Sequence, residues 1–280
     1  MSIVVGIDVG GSTTKIVGLE NDRLISPMLV KANDPIASIY GAFGKFMSAN
    51  KLDLEDIQHI KVTGVGSSHI SESLYGIPTG KVDEFNAIGK GGLFLTSLNR
   101  AIIVSMGTGT AYIISDENGE RHIGGTGIGG GTLLGLSNKM LNIRHFDDLI
   151  ELAQNGNLAN VDLNIGDITR DRLENLPPEI TASNFGKISD LASKADIALG
   201  IINLVFQTIG MFAVFASRIH GTNDVVLTGN LTTVPQANVI FDTIHRLYQV
   251  NFHTPKNAEY ATAVGAALSP AKEVLSVESK

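Results

Sequence analysis

The 280-residue sequence predicts an α/β fold divided into two lobes, and three observations predict it. Apolar runs with strand character alternate with stretches of helical spacing. The same local design, an apolar strand running into a glycine and hydroxyl turn and then a second β-rich stretch, occurs at residues 7–15 (IDVGGSTTK) and again at 105–110 (SMGTGT). The length is enough for two modest domains, each with its own core.

Taken in order, residues 3–8 and 14–19 read as strands, 23–30 as a third, and 35–47 as a helix with apolar side chains at Ile36, Ile39, Phe43 and Phe46. A short strand at 60–63 ends in Gly64-Val65-Gly66, and Glu84 stands just ahead of the next helix. The pattern then restarts with a strand at 101–105, a glycine turn, a strand at 111–114 and a hairpin through Asp116-Glu117-Asn118-Gly119. Helices follow at 132–140 and 146–154, Pro177-Pro178 marks a loop, and a strand at 224–227 ends in Thr228-Gly229-Asn230. Helices beginning near Val234 and spanning 261–267 complete the chain. The restart is an internal repeat of topology. It places the boundary near residues 96–100, between an N-terminal lobe (1–98) and a C-terminal lobe (99–280).

Composition narrows the classes of function. With 43% apolar and 18% charged residues the chain is a folded globular protein. A net charge of −7 without any lysine or arginine cluster argues against a nucleic-acid binder. The absence of cysteine excludes disulfides, thiolate metal sites and a cysteine nucleophile. The start passes directly into a strand, without a basic segment or a cleavage site, so a cytoplasmic protein is expected. Residues 197–217 are long and apolar enough for a membrane span. Asn203, Gln207, Thr208 and Ser217 within them, and the lack of a second span, favour a buried or dimer-forming helix.

Turns of this kind direct backbone N–H groups and small hydroxyls into one concave space, which holds phosphate. Two of them suggest two jaws on one nucleotide, with Gly10, Gly11, Ser12, Thr13, Gly107, Thr108, Gly109 and Thr110 in contact. Asp8, at the carboxyl end of a buried strand, either binds magnesium or caps the Gly10-Gly11 turn. Lys15 reads first as a solvated edge residue and second as a phosphate contact. The segment 124–132 (GGTGIGGGT) leads into a helix, whose free N–H groups at Gly129, Gly130 and Gly131 would favour an anion or a polar edge. It lacks the lysine of a Walker loop. Gly229 and Asn230 lie where a purine could rest on backbone, or form an ordinary βα turn.

The ordered set IDVGGSTTK, SMGTGT and LTGN, joined by VTGVG at 62–66 and AVGA at 263–266, resembles the acetate and sugar kinase, Hsp70 and actin superfamily. VDEFNA at 82–87, the GGTGIGGGT stretch running into LLGL at 133–136, and TASNFG at 181–186 bring the resemblance closer to the type II pantothenate kinases. It covers almost the whole chain. The resemblance implies two actin-like (ribonuclease H-like) lobes with ATP in the cleft between them, Mg2+ as cofactor, phosphorylation of pantothenate to 4'-phosphopantothenate at the entry to coenzyme A synthesis, and a homodimer. It implies that Asp8 is the magnesium-associated aspartate and Glu84 the catalytic glutamate. A carboxylate within reach of a primary alcohol contributes on the order of 10²–10⁴ in rate. On the substrate side it implies Glu84, Gly125 and, where the family carries an arginine, His122 preceded by Arg121. Two other readings keep the nucleotide: a kinase of another small alcohol such as an amino sugar, or a catalytically impaired nucleotide-binding regulator. The iron–sulfur activator ATPases of the superfamily bind their cluster through cysteine, which this chain lacks.

Overall fold

The computed structural model describes residues 2–11, 13–31, 34–70, 73–169 and 177–273. Strands β1 (Ile3–Val9), β2 (Thr14–Glu20) and β3 (Arg23–Val30) meander antiparallel and are followed by helix α1 (Pro35–Asn50). β4 (Ile57–Thr63) returns parallel to β1, β5 (Thr79–Lys81) adds parallel to β4, and α2 (Glu84–Thr96) follows. The plan then repeats with a second meander, β6 (Ala101–Met106), β7 (Thr110–Asp116) and β8 (Gly119–Thr126). Helices α3 (Gly130–Leu141) and α4 (Phe146–Ala153) come next, then a small excursion of β9 (Leu163–Asn164), α5 (Ile165–Ile168) and β10 (Thr181–Ser183), and the long α6 (Lys194–His220). β11 (Asp224–Thr228) runs parallel to β6, and α7 (Pro235–Tyr248) leads to β12 (Asn251–His253), parallel to β11. α8 (Ala261–Leu268) and the short β13 (Lys272–Glu273) close the described chain. The two main sheets have the orders β13-β5-β4-β1-β2-β3 and β12-β11-β6-β7-β8. Each has a central strand flanked by a parallel neighbour and an antiparallel hairpin, so the repeat expected from the sequence is a repeat of sheet topology.

Both sheets are covered on both faces, which is why β1 and β6 read as near-continuous apolar runs. Ile3, Val5 and Ile7 pack with Ile39, Phe43 and Phe46 of α1. That helix starts where Asp34 accepts a hydrogen bond from the Ala37 N–H with Pro35 in the first turn, and stops at Lys51 in the left-handed conformation. In the second sheet Ile102, Val104 and Met106 pack with Ile201, Val205 and Phe206 of α6, while Ala101, Ile103 and Ile113 face Ile88 of α2. Burying each such side chain stabilises the fold by roughly 1.5–3 kcal/mol. α6 is the one helix among the described residues long and apolar enough to cross a membrane. Residues on most of its circumference are buried in the second core, and Tyr112 donates to its Ile209 carbonyl at 3.0 Å.

The helices that face the space between the sheets are exchanged. α2, which precedes the second meander, lies on β6, β7 and β8, whereas α8, from the end of the chain, lies on β1, β2 and β4. Gly6 makes the second contact possible, because a Cβ there would stand 2.0 Å from the Ala263 carbonyl oxygen. α2 and α8 cross each other just as closely. A Cβ on Gly91 would lie 1.8 Å from the Ala261 oxygen, and one on Gly265 would lie 1.7 Å from the Ala87 oxygen. Lys61 of β4 anchors the far end of α8 by donating to the carbonyls of Ala267 and Ser269 at 2.9 and 2.6 Å.

Candidate functional site

The first glycine turn joins β1 to β2. The Gly10 N–H donates to the Thr13 carbonyl at 3.0 Å, and behind that closure Asp8 stands opposite Lys15 in the ladder. Both side chains are buried, with Lys15 Nζ 3.8 Å from Asp8 Oδ2. The expectation of a solvated edge lysine fails here because β2 lies between β1 and β3. Burial pushes the Asp8 carboxyl above its ordinary range, and the Lys15 ammonium draws it part of the way back. The Thr14 hydroxyl accepts from Ser38 of α1 at 2.6 Å, on the core side of the strand. Gly11 is exposed, and Ser12 falls outside the described residues.

Beside this turn, the end of β4 supplies Thr63 and Gly64. Thr63 is fully buried next to Asp8 in the parallel register, and its hydroxyl has no hydrogen-bond partner among the described residues. Gly64 has φ of 86°, and a Cβ there would lie 2.7 Å from Asp8 Oδ1 and 2.6 Å from the Val9 carbonyl. Only glycine lets this loop pass so close to the carboxylate.

The second turn joins β6 to β7, where Gly107 N–H donates to Gly109 O at 2.9 Å. Its surroundings differ from the sequence expectation. The N–H groups of Gly130 and Gly131 donate at 2.9 Å to the carbonyls of Gly107 and Thr108, and the Gly129 N–H points to Thr132 Oγ1 at 3.2 Å. The amino terminus of α3 is therefore bound to the turn, and the expectation that these three N–H groups are free for a ligand is corrected. Thr110 reinforces the junction by donating to the Ile128 carbonyl at 2.9 Å. The first half of the glycine segment, Gly124-Gly125-Thr126, belongs to β8 rather than to the approach to a helix. The Thr108 side chain is exposed at the tip.

Gly229 follows β11 as Gly64 follows β4. Its φ is 90°, and a Cβ there would meet the Met106 carbonyl oxygen at 2.5 Å. The next residue, Asn230, reaches the other half of the molecule, with Nδ2 3.5 Å from Thr13 Oγ1. Thr13, Asn230 and both turns thus border one cleft.

Glu84 arrives at the same place from a third segment. The Val82 N–H donates to the Val62 carbonyl at 2.8 Å, which brings the segment after β5 to the carboxyl end of β4. Asp83 caps α2 by accepting from the Asn86 N–H at 3.0 Å, and Glu84 opens the helix. Partial burial raises the Glu84 carboxyl, the negative charges of Asp8 and Asp83 raise it further, and Lys15 opposes them. Glu84 and Asp8 therefore lie in one electrostatic field, although they belong to different segments of the chain.

Phe85, which the sequence reading did not single out, stacks on His122 with ring centroids 4.1 Å apart and planes 15° from parallel. Cross-strand pairing explains which β8 residues share that face. His122 is opposite Ile113, whose side chain packs with α2, and Arg121 is opposite Ile114, which packs in the α6 core. Arg121 therefore projects away from Glu84, and its assignment to the substrate side is not met in this structure. Gly125 lies on the His122 side, where a Cβ would be 3.8 Å from His122 Nε2.

The TASNFG segment is organised around a buried acid. Fully buried Asp162 accepts from Thr181 Oγ1, Asn184 Nδ2, the Phe185 N–H and Asn203 Nδ2 at 2.8–3.3 Å. Asn184 donates in addition to Gln207 of α6 at 3.0 Å. These bonds fasten the segment to α6, with Phe185 held at φ of 57°. Its alternation of small and polar residues signals a tight turn; nothing local in it names Asp162 as its partner.

Comparisons with known proteins show the fold and the family. The structure is similar to the activator of 2-hydroxyisocaproyl-CoA dehydratase from Clostridium difficile with TM-score 0.68, 19% identity and coverage of 95% of this chain and 93% of the other. A ROK family glucokinase from Streptomyces griseus gives TM-score 0.60 at 12% identity, covering 95% and 98%. The fold is thus α/β with two actin-like lobes. In sequence, the chain is 30% identical over 238 residues to a type II pantothenate kinase of Staphylococcus epidermidis, covering 81% of this chain and 84% of the relative. It is 29% identical over 285 residues to that of Oceanobacillus iheyensis, covering 95% and 98%. The Fumble family model matches residues 96–266. With the cleft, the paired turns and Glu84 in place, these matches show that the chain belongs to the Fumble family, the type II pantothenate kinases.

Proposed function

We propose that this chain transfers the γ-phosphoryl group of ATP to the primary hydroxyl of pantothenate, giving 4'-phosphopantothenate, and that it does so as a cytoplasmic homodimer. Membership of a phosphotransferase family supports the reaction class. The single observation that carries the site reading is the convergence of Glu84 and Asp8 at the carboxyl ends of β1 and β4, each carboxyl raised by burial and Glu84 raised further by Asp8. In this reading the nucleotide lies in the cleft bordered by Gly10, Gly11, Thr13, Gly107, Thr108, Gly109, Gly229 and Asn230. Lys15 supplies positive charge beneath the first turn. Glu84 accepts the proton of the attacking hydroxyl, and its raised affinity for protons suits it to that task.

Mg2+ fits the Asp8 end of this cleft. A magnesium site needs one or two carboxylates beside the substrate phosphates. Asp8 is a buried carboxylate with no hydrogen-bond donor among the described residues, and the unpartnered hydroxyl of Thr63 adjoins it. When bound, the ion neutralises charge on the phosphates.

Homodimer formation is proposed through the outer side of α6, where Phe212, Phe215 and Ile219 are 50%, 51% and 77% exposed on one stripe. A second reading, another small alcohol as acceptor, is favoured by His122 standing where the family carries arginine. One experiment tests the assignment: ADP release with and without pantothenate, in the wild type and in Glu84→Gln. Turnover is expected to depend on pantothenate and to fall about 10²–10⁴-fold in the variant while ATP binding persists. Near-normal turnover in Glu84→Gln removes Glu84 from the mechanism, and turnover with an amino sugar in place of pantothenate favours the second reading.

A further inference from the structure

The Phe85–His122 pair has the geometry of a selectivity element. Its two rings come from different segments, the first turn of α2 and the middle of β8, and they meet almost parallel at 4.1 Å. Phe85 follows Glu84 in the first turn of α2 and remains 37% exposed, and His122 is exposed as well, so the stack faces solvent at the start of that helix. The His122 ring nitrogens have no hydrogen-bond partner among the described residues. Gly125 keeps the approach to Nε2 clear, since any side chain there would begin 3.8 Å from that atom and 3.1 Å from the Thr110 carbonyl. A ring held flat by a neighbouring aromatic face, with an unused polar edge beside a glycine, is a fixed wall for an amide-bearing chain. The apolar faces pack its methylene and methyl groups, and the ring edge meets an amide or hydroxyl.

We propose that Phe85 is a positioning residue for acceptor selectivity. It clamps the His122 imidazole against α2, so that Nε2 forms a hydrogen bond with the amide or a hydroxyl of the acceptor while the stacked rings line its aliphatic part. This inference rests on the acceptor reading given above and adds the residue that holds His122 in place.

Steady-state kinetics of Phe85→Leu and Phe85→Tyr test it, with pantothenate and ATP varied separately. Losing the aromatic pair is expected to raise the KM for pantothenate about 3- to 10-fold in Phe85→Leu. The KM for ATP is expected to stay unchanged, and Phe85→Tyr, which keeps the stack, to match the wild type. His122→Ala should raise the same KM and add little in the Phe85→Leu background, because the two residues act as one unit. The proposal is overturned by an unchanged pantothenate KM in Phe85→Leu, by equal impairment of the Leu and Tyr variants, or by an equal rise in the KM for ATP. A wild type that turns over no pantothenate removes the functional reading and this inference with it. An active wild type with an unaffected Phe85→Leu removes this inference alone.

Discussion

The two halves of the molecule use one backbone device twice and equip it differently. In each, a central strand turns through glycine into an antiparallel partner, and a parallel neighbour ends in threonine followed by a glycine of positive φ, at 86° in Gly64 and 90° in Gly229. Each of these glycines presses against the last carbonyl of the central strand, Val9 in one half and Met106 in the other. The side chains at matching positions diverge. Asp8 opposite Lys15 in the first half corresponds to Ser105 opposite Ala111 in the second. The buried hydroxyl of Thr63 is unpartnered, whereas that of Thr228 donates to the Val104 carbonyl at 3.3 Å. The second turn spends its carbonyls on α3. The charged pair and an unpartnered buried hydroxyl thus sit beside the first turn, and hydrogen-bonded rigidity surrounds the second. The fold supplies the shape of both jaws, and a few residues on one of them carry the charge.

The largest expected effect tests that asymmetry directly. Asp8→Asn should lower phosphoryl transfer about 10²–10³-fold, the loss typical of removing one electrostatic group from a preorganised site. Ser105→Ala, at the matching position of the other jaw, should stay within about twofold. Turnover numbers that fall together would dissolve the distinction between the halves.

A smaller effect is expected from the structural jaw. Thr110→Val removes the donor to the Ile128 carbonyl and should cost about 1 kcal/mol of folding stability, read from urea midpoints. Turnover at saturating ATP should persist, with a raised KM for ATP. Loss of turnover with unchanged stability would assign chemistry to this jaw as well.

The smallest effect is a displacement along the pH axis. In the proposed role Glu84 works deprotonated, and burial with Asp8 and Asp83 raises its carboxyl, so the acid limb of kcat/KM should lie above the ordinary carboxylate range. Asp83→Asn preserves the helix cap and removes one of the negative charges, so the limb should move to lower pH. The same linkage makes stability fall as pH rises from the ordinary carboxylate range through the raised folded value, because the native state holds the proton more tightly there. A limb that stays in place in Asp83→Asn would show that another group titrates in it.

Much of this architecture was legible in the sequence because period and punctuation are local. The runs around Ile3, Ile60, Ala101 and Val225 could be little other than buried strands, and the paired glycine turns marked where each central strand turns into its antiparallel partner. What stayed hidden depends on contacts between distant segments. Arg121 and His122 are neighbours in sequence, and only the pairing of β8 with β7, including the bulge at Ile123, decides which of them faces α2. A shift of one residue would exchange their roles. The free N–H groups expected at Gly130 and Gly131 were consumed by carbonyls more than twenty positions upstream, a partnership absent from local composition. Lys15 read as solvated because the local sequence cannot show that β2 is an interior strand, or that α8 packs on the face Lys15 shares with Val17.

The exchange of α2 and α8 bears on how such a chain can be divided. A cut at residue 98 would leave the first piece without the helix that covers Gly6 and Val17, and the second without the helix that covers Ile103 and Ile113. Each fragment would expose an apolar sheet face and depend on the other to cover it. The duplicated halves are therefore not interchangeable cassettes. Grafting one of them from a relative requires moving a helix from the opposite half of the chain, together with the glycines that let the two helices touch.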